Sequence, residues 1–199
     1  INNYSDSRVA KALGYLGENQ IKTALSGMGD YAKALKLSRI EDQYYIRLIQ
    51  EKDNLAIKRI IEKVSMEFGT SGDGGPTQDK ELNDMFKTYS KPKSAYFVVL
   101  EEEKVLGGAG FGPLKDERIC EFQKMYFLPG ARGRGLGEIL MTKCIKKASS
   151  FGYKSMYIET VDRMVQAVNL YKKLGATEIV KPLGNTGHHQ CERMLLIEL

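Results

Sequence analysis

No stretch of the 199-residue sequence approaches the ~20 consecutive apolar residues that a membrane-spanning helix needs, and no leader of the secretory type opens it. Cysteine is scarce. Cys120, Cys144 and Cys191 are odd in number and lack paired spacing, which excludes a disulfide-stapled secreted scaffold and predicts reduced thiols in the cytoplasm. Only two histidines occur, His188 and His189, both in "GNTGHHQC". With Cys191 they fall short of the four regularly spaced donors of a structural zinc site, so no metal is expected and the segment reads as a loop before the last strand. Basic residues exceed acidic ones, 30 to 25, for a formal charge of +5, but no long basic run occurs. That balance suits an anionic small ligand and argues against nucleic acid as the first partner. The composition is otherwise that of an ordinary soluble globular protein, long enough for one domain with an appendage. Because the sequence opens on Ile1 rather than Met, its true start is expected upstream.

Residues 1–38 read as a helical extension. "SDSRVAKALGYL" begins with capping-type residues at Ser5 to Ser7. "GENQIKTALSGMGDYAKAL" then places Ile21, Leu25, Met28, Ala32 and Leu35 on one stripe, at alternating steps of four and three. Two such helices cannot enclose a core alone, so the stripe predicts packing on the rest of the chain, on a second copy in a homodimer, or on a missing part. From residue 39 the pattern changes. "YYIRLIQ" is short and β-rich, and Asp53 or Asn54 then caps a helix whose apolar face is Ile57, Ile60, Ile61, Val64 and Phe68. "GTSGDGGP" is a flexible loop, followed by a short helix from Gln78 to Thr88. "SAYFVVLEE" and "KVLGGAGFG" form a hairpin turning at Glu102 and Glu103. "RICEFQKMYFL" is a long strand that ends before Pro129. The helix after it turns Leu136, Ile139, Leu140, Cys144 and Ala148 inward, so Cys144, like Cys120, is expected to pack rather than react. "SMYIETV", "ATEIV" and "RMLLIEL" are strands, and "RMVQAVNLYKKLG" is a helix closed by Gly175. This order predicts an α/β domain with a mixed sheet over residues 39–199.

The chemistry concentrates in "ARGRGLGEILMTKC", where Arg132–Gly137 holds two arginines and three glycines just before a helix. A helix start leaves unpaired N–H groups and carries partial positive charge. Glycine lets a ligand approach those groups closely, and arginine adds fixed charge with planar donors. Together they make an anion site, with phosphate its usual occupant. The mononucleotide P-loop fails here, because Gly135 is followed by Leu136 and Gly137 rather than Lys and Ser/Thr. The dinucleotide fingerprint G-x-G-x-x-G fails too, because Glu138 stands where its last glycine belongs.

The remaining pattern, Arg132-x-x-Gly135-x-Gly137, resembles the pyrophosphate signature R/Q-x-x-G-x-G/A of the GNAT superfamily of N-acetyltransferases. The resemblance spans residues 40–199. "EFQKMYFLPGARGRGLGEILM" resembles that family's fourth strand, loop and third helix, and "ETVDRMVQAVNLYKKLGATEI" its fifth strand, fourth helix and sixth strand. It implies a mixed, mostly antiparallel central sheet with splayed fourth and fifth strands, flanking helices and acetyl-CoA as cosubstrate. The splay exposes strand backbone that pairs with the pantetheine arm, here Met125, Tyr126 and Phe127. Arg132, Gly133, Arg134, Gly135, Leu136 and Gly137 would take the pyrophosphate. Glu121, eleven residues before Arg132, has the spacing of the general base in some members; strand alternation would set it on one face with Gln123, Met125 and Phe127. Glu159 and a water are the rivals for that role. Tyr171 of "NLYKKLG" matches the tyrosine that protonates the departing thiolate. One departure is Met164, where the family often has an Asn against the CoA arm. The loop holding His188 and His189 would border the acceptor, a small-molecule or peptide amine. Residues 1–38 also loosely resemble the C-terminal helices of MarR-type regulators, some of which are fused to such domains. That resemblance implies a fragment of a longer regulator, which would meet nucleic acid only through a missing helix-turn-helix domain. It also leaves open a non-catalytic reading, a module that senses an acyl-CoA.

Overall fold

The computed structural model describes residues 3–72, 74–184 and 191–199, and the chain divides into two units, Ile1–Ile40 and Glu41–Leu199. The first unit consists of two helices, α1 (Asn3–Leu13) and α2 (Glu18–Glu41). No residue of α2 is buried, and Leu25, Met28 and Leu35 of the predicted stripe are exposed. The stripe therefore closes no core within its own unit.

The second unit carries a sheet of seven strands: β1 (Tyr45–Leu48), β2 (Ala95–Glu101), β3 (Lys104–Pro113), β4 (Ile119–Phe127), β5 (Ser155–Thr160), β6 (Thr177–Glu178) and β7 (Arg193–Glu198). Their order across the sheet is β1-β2-β3-β4-β5-β7-β6. Every neighbouring pair is antiparallel except β4 and β5, which run parallel. The helices are α3 (Asn54–Glu67), α4 (Met85–Tyr89), α5 (Leu136–Ser150) and α6 (Val165–Lys173). Strand alternation sorts the core. Tyr96, Val98 and Leu100 of β2 pack with Ile57 and Ile61 of α3 and with Met85 and Tyr89 of α4. Ala95 and Val99 are buried on the opposite face, where α5 brings in Leu136, Ile139, Leu140, Cys144 and Ala148, the five inward residues the periodicity predicts.

Three local expectations change. Gln78–Thr88 is not one helix: 3-10 turns cover Pro76–Gln78 and Lys80–Asn83, and the extended Asp84 (φ −154°, ψ 77°) breaks the chain before α4. Asp84 then caps α4, its carboxylate accepting from Lys87 N–H at 3.0 Å. "ATEIV" shrinks to the two-residue β6. Asp53 does stand at the start of α3, but its carboxylate accepts instead from Gln50 N–H at 2.8 Å and from the Arg47 guanidinium at 2.5 and 3.0 Å.

The feature that positions the site is an irregularity in β4. Against β3, Gly108 pairs with Tyr126 and Gly110 with Gln123, so β4 holds an extra residue opposite Ala109. That bulge contains Lys124 at φ 54°. On its other edge β4 pairs with β5 only from Ile119 to Phe122, while β5 continues along β7 to Thr160. A bulge bends its strand and increases the local twist, so the half of β4 beyond it leaves β5 and the two strands splay. The bulge is held from below. The Tyr96 hydroxyl donates to Lys124 C=O at 2.9 Å, and the Lys124 ammonium pairs with Asp79. To reach Lys124, Tyr96 lies across β3 where a Cβ at Gly108 or Gly110 would come within 2.4 or 2.5 Å of its ring.

Candidate active site

Two cavities meet along the unzipped half of β4. The larger, about 740 Å3, runs between α3, the second half of β4, the glycine loop and the start of α6. The second lies between β4 and β5 beside Thr70 and Gly74 to Pro76 and is lined by Glu121, Gln123, Glu159, Tyr171 and Cys191 among others. Met125, Tyr126 and Met164 border both.

The glycine loop has the conformation an anion cradle requires. Gly133 (φ 73°) and Gly135 (φ 82°) lie in the left-handed region that side chains disfavour. Gly135 is the N-cap of α5 without a side-chain cap, and the N–H groups of Gly135, Leu136 and Gly137 meet no acceptor among the described residues. A Cβ on Gly137 would stand 3.1 Å from Leu170 of α6 and 3.7 Å from Met125 Sδ, inside the larger cavity. Three orphan donors at the end of a 15-residue helix, with open space before them, fit an anionic diphosphate.

The two arginines part company. Arg132 lines the cavity, and its guanidinium is already engaged: Nε donates to Phe127 C=O at 3.0 Å, and the two Nη groups grip Glu67 at 2.5 and 2.8 Å. Its hydrogen bond holds the Glu67 carboxyl below the usual range. Arg134 does not line the cavity; its guanidinium reaches the Tyr44 hydroxyl at 3.1 Å and Glu101 at 3.3 Å. Arg163, two residues before α6, also lines the cleft and belongs to no motif in the sequence.

The bulge also resets the faces of β4. Glu121 and Gln123 do share a face, toward α4, but Met125 and Phe127 do not join them. Their side chains lie within 4 Å of the position a Cβ on Gly137 would take, whereas Tyr126 packs with the α3–α4 cluster. Simple alternation over residues 121–127 fails because the extra residue shifts the phase by one.

Glu121 is buried at 4% exposure, and its Oε2 accepts from Gln123 Nε2 at 2.6 Å; Gln123 Oε1 in turn accepts from the Tyr89 hydroxyl at 2.9 Å. Glu159 lines the same cavity, with Oε1 accepting from the Tyr157 hydroxyl at 2.6 Å. Tyr171 of α6 faces this cavity too, stacked edge-on to Phe122 at 5.9 Å, and its hydroxyl has no hydrogen-bond partner among the described residues. Burial pushes its phenol well above the ordinary range. Cys120 and Cys144 are fully buried; burial pushes the Cys120 thiol up to about 12 and that of Cys144 well above its ordinary value, so neither is a nucleophile. Cys191 is half-buried on the wall of the second cavity. His188 and His189 lie outside the described residues, and among the described residues no cluster of donors could hold a metal ion.

Comparison with known proteins shows the family and the fold. Residues 58–176 match the model of the acetyltransferase (GNAT) family. An Escherichia coli protein described as the uncharacterized N-acetyltransferase YjgM is 43% identical over 157 residues, which cover 77% of this chain and 94% of that one. A Schizosaccharomyces pombe protein, also described as an uncharacterized N-acetyltransferase, is 30% identical over 65% of this chain and 78% of its own length. Among solved structures, a Staphylococcus aureus acetyltransferase of the GNAT family superposes with a TM-score of 0.68 at 16% identity, covering 78% of this chain and 98% of that one. A Salmonella typhimurium acetyltransferase solved with acetyl-CoA gives 0.64 at 20% identity, covering 78% and 94%. The family match begins at residue 58, so it lends nothing to a MarR-type reading of residues 1–38.

Proposed function

The chain belongs to the GNAT family of acetyltransferases, and from that premise we propose that it transfers the acetyl group of acetyl-CoA to the primary amine of a small molecule or peptide. One observation carries the reading. The cavity with the orphaned N–H groups and the cavity with the buried carboxylates meet where β4 is unpaired, at Met125, Tyr126 and Met164. The Gly133–Gly137 backbone and Arg132 hold the diphosphate. Backbone groups of Met125 and Phe127 that face the gap receive the pantetheine arm as an added strand, except Phe127 C=O, which Arg132 already occupies, while Tyr126 between them turns its own N–H and C=O to Gly108 of β3. Acetyl-CoA supplies the thioester that the amine attacks.

The chain's own task is proton handling. A primary amine with a pKa of about 10.4 is overwhelmingly protonated at neutral pH and cannot attack. Glu121 takes that proton, directly or through a water, from its buried place in the acceptor cavity. Tyr171, kept protonated by burial, donates its phenolic proton to the departing thiolate from the cavity wall. Glu159 faces the same space, but it lies beyond the last β4–β5 pair, at the outer end of β5. Glu121→Gln keeps the shape and removes the base. Turnover with an amine acceptor, found by mass-spectrometric screening with acetyl-CoA, is expected to fall roughly hundredfold or more, with CoA affinity by calorimetry unchanged. Undiminished turnover removes Glu121 from the mechanism.

A further inference from the structure

We infer that Tyr89 and Gln123 form a fixed hydrogen-bond chain that orients Glu121, making them positioning residues for the proton-accepting carboxylate; this rests on Glu121 being the base. The direction of the chain follows from its ends. An ionised carboxylate only accepts hydrogen bonds, so Gln123 must turn its amide nitrogen toward Glu121. Its amide oxygen then faces Tyr89, which must donate. The distances agree: 2.9 Å from the Tyr89 hydroxyl to Gln123 Oε1 and 2.6 Å from Gln123 Nε2 to Glu121 Oε2.

The anchor is rigid. Tyr89 is 4% exposed, on the short α4 that Asp84 caps, and its ring lies 5.0 Å from that of Tyr96. Tyr96 is the residue that fixes the β4 bulge. The same pair of buried tyrosines thus sets both where β4 bends and which way the Gln123 amide points. Neither assignment is legible in the sequence, because Tyr89 and Gln123 stand 34 residues apart.

Several other groups surround Glu121. Tyr157 pairs with it across β5, and Glu159 and Tyr171 line its cavity together with Cys191. Lys124 lines that cavity too, with its ammonium on Asp79. Cys120 precedes Glu121, its thiol buried against Ser155 C=O. None of these groups changes in the test.

The test is the pH profile of kcat in the full chain. A donor to a charged carboxylate favours its ionised form. Gln123→Leu removes the donor, so the acid limb should move up by about one pH unit, a roughly tenfold loss below the limb that recovers at high pH. Tyr89→Phe is nearly isosteric and only frees the amide to turn, so it should move the limb in the same direction by less. A merely structural loosening would lower kcat equally at every pH. If Glu121→Gln retains the wild-type limb, the base assignment itself fails. If Glu121→Gln abolishes the limb while Gln123→Leu and Tyr89→Phe leave it in place, the base stands and the chain is refuted.

Discussion

Replacing Gly133 by alanine adds one methyl group to a loop that has room for it and a backbone that does not. Gly133 sits at φ 73°, and a Cβ there would meet no protein atom within 4 Å. Steric overlap inside the protein therefore contributes nothing, and the cost is that of holding an L-residue left-handed, about 1–2 kcal/mol. The entropy alanine removes from the unfolded chain offsets about 0.4–1 kcal/mol of it. The remainder is about 1 kcal/mol, to be divided between two readouts. If the loop keeps its shape, melting falls by roughly 2–4 °C for a domain of this size. If the loop relaxes instead, stability is retained and the N–H groups leave their aim. Coenzyme A then binds about fivefold more weakly, with a further loss if the methyl enters the diphosphate's space. Gly130, in the adjoining turn, is the control: it also has open space around its Cβ, but its φ is not positive. Gly130→Ala should be neutral or slightly stabilising in differential scanning calorimetry and in CoA titration. If Gly133→Ala matches that control in both experiments, the anion cradle is wrongly assigned.

Tyr171→Phe keeps the edge-on contact with Phe122 and removes the proton. It should lower kcat without changing CoA affinity. Because burial raises the phenol, the wild-type profile should show no alkaline limb from this group below about pH 10; a limb between pH 7 and 9 that disappears in Tyr171→Phe contradicts the assignment. A third prediction concerns stability in acid. Burial alone would push the Asp53 carboxyl up, but its hydrogen bonds with Arg47 and Gln50 N–H outweigh that and hold it below its ordinary value. A depressed folded-state pKa stabilises the protein above the unfolded value, and that contribution is lost as pH falls through the lower folded one, below about 4. In urea unfolding Asp53→Asn should cost about 3 kcal/mol at pH 7, and the gap to wild type should narrow below pH 4. A gap constant down to pH 2 would mean the pair adds nothing through charge.

The element order and the helix faces were legible because each is written locally. The five inward residues of α5 follow its period, and the two-residue turn at Glu102–Glu103 falls where β2 ends and β3 begins, with Glu102 at φ 56°. The glycine turn and the helix start behind it were legible because the two are sequence-adjacent. The faces of β4 were not. A period of two carries Met125 and Phe127 along with Glu121, and nothing in "EFQKMYF" announces the extra residue at Lys124; only the register against Gly108 and Gly110 does. The partners of Arg134 were not legible for a related reason. Loop composition shows that two arginines stand beside a helix start, not that Tyr44 and Glu101 lie against the guanidinium of one of them. Gln123, Tyr89 and Arg163 belong to no motif, and three-dimensional neighbours alone assign them a place.

The opening in the sheet is governed from beneath its floor rather than at its rim. Gly108 and Gly110 touch neither cavity, yet the missing methyl groups there leave the slot through which Tyr96 reaches the kinked strand. A side chain at either glycine would lift the ring, withdraw the phenol from the carbonyl it steadies, and remove the restraint against β4 straightening and zipping onto β5. The gap between β4 and β5 thus depends on two bare backbone positions one strand away.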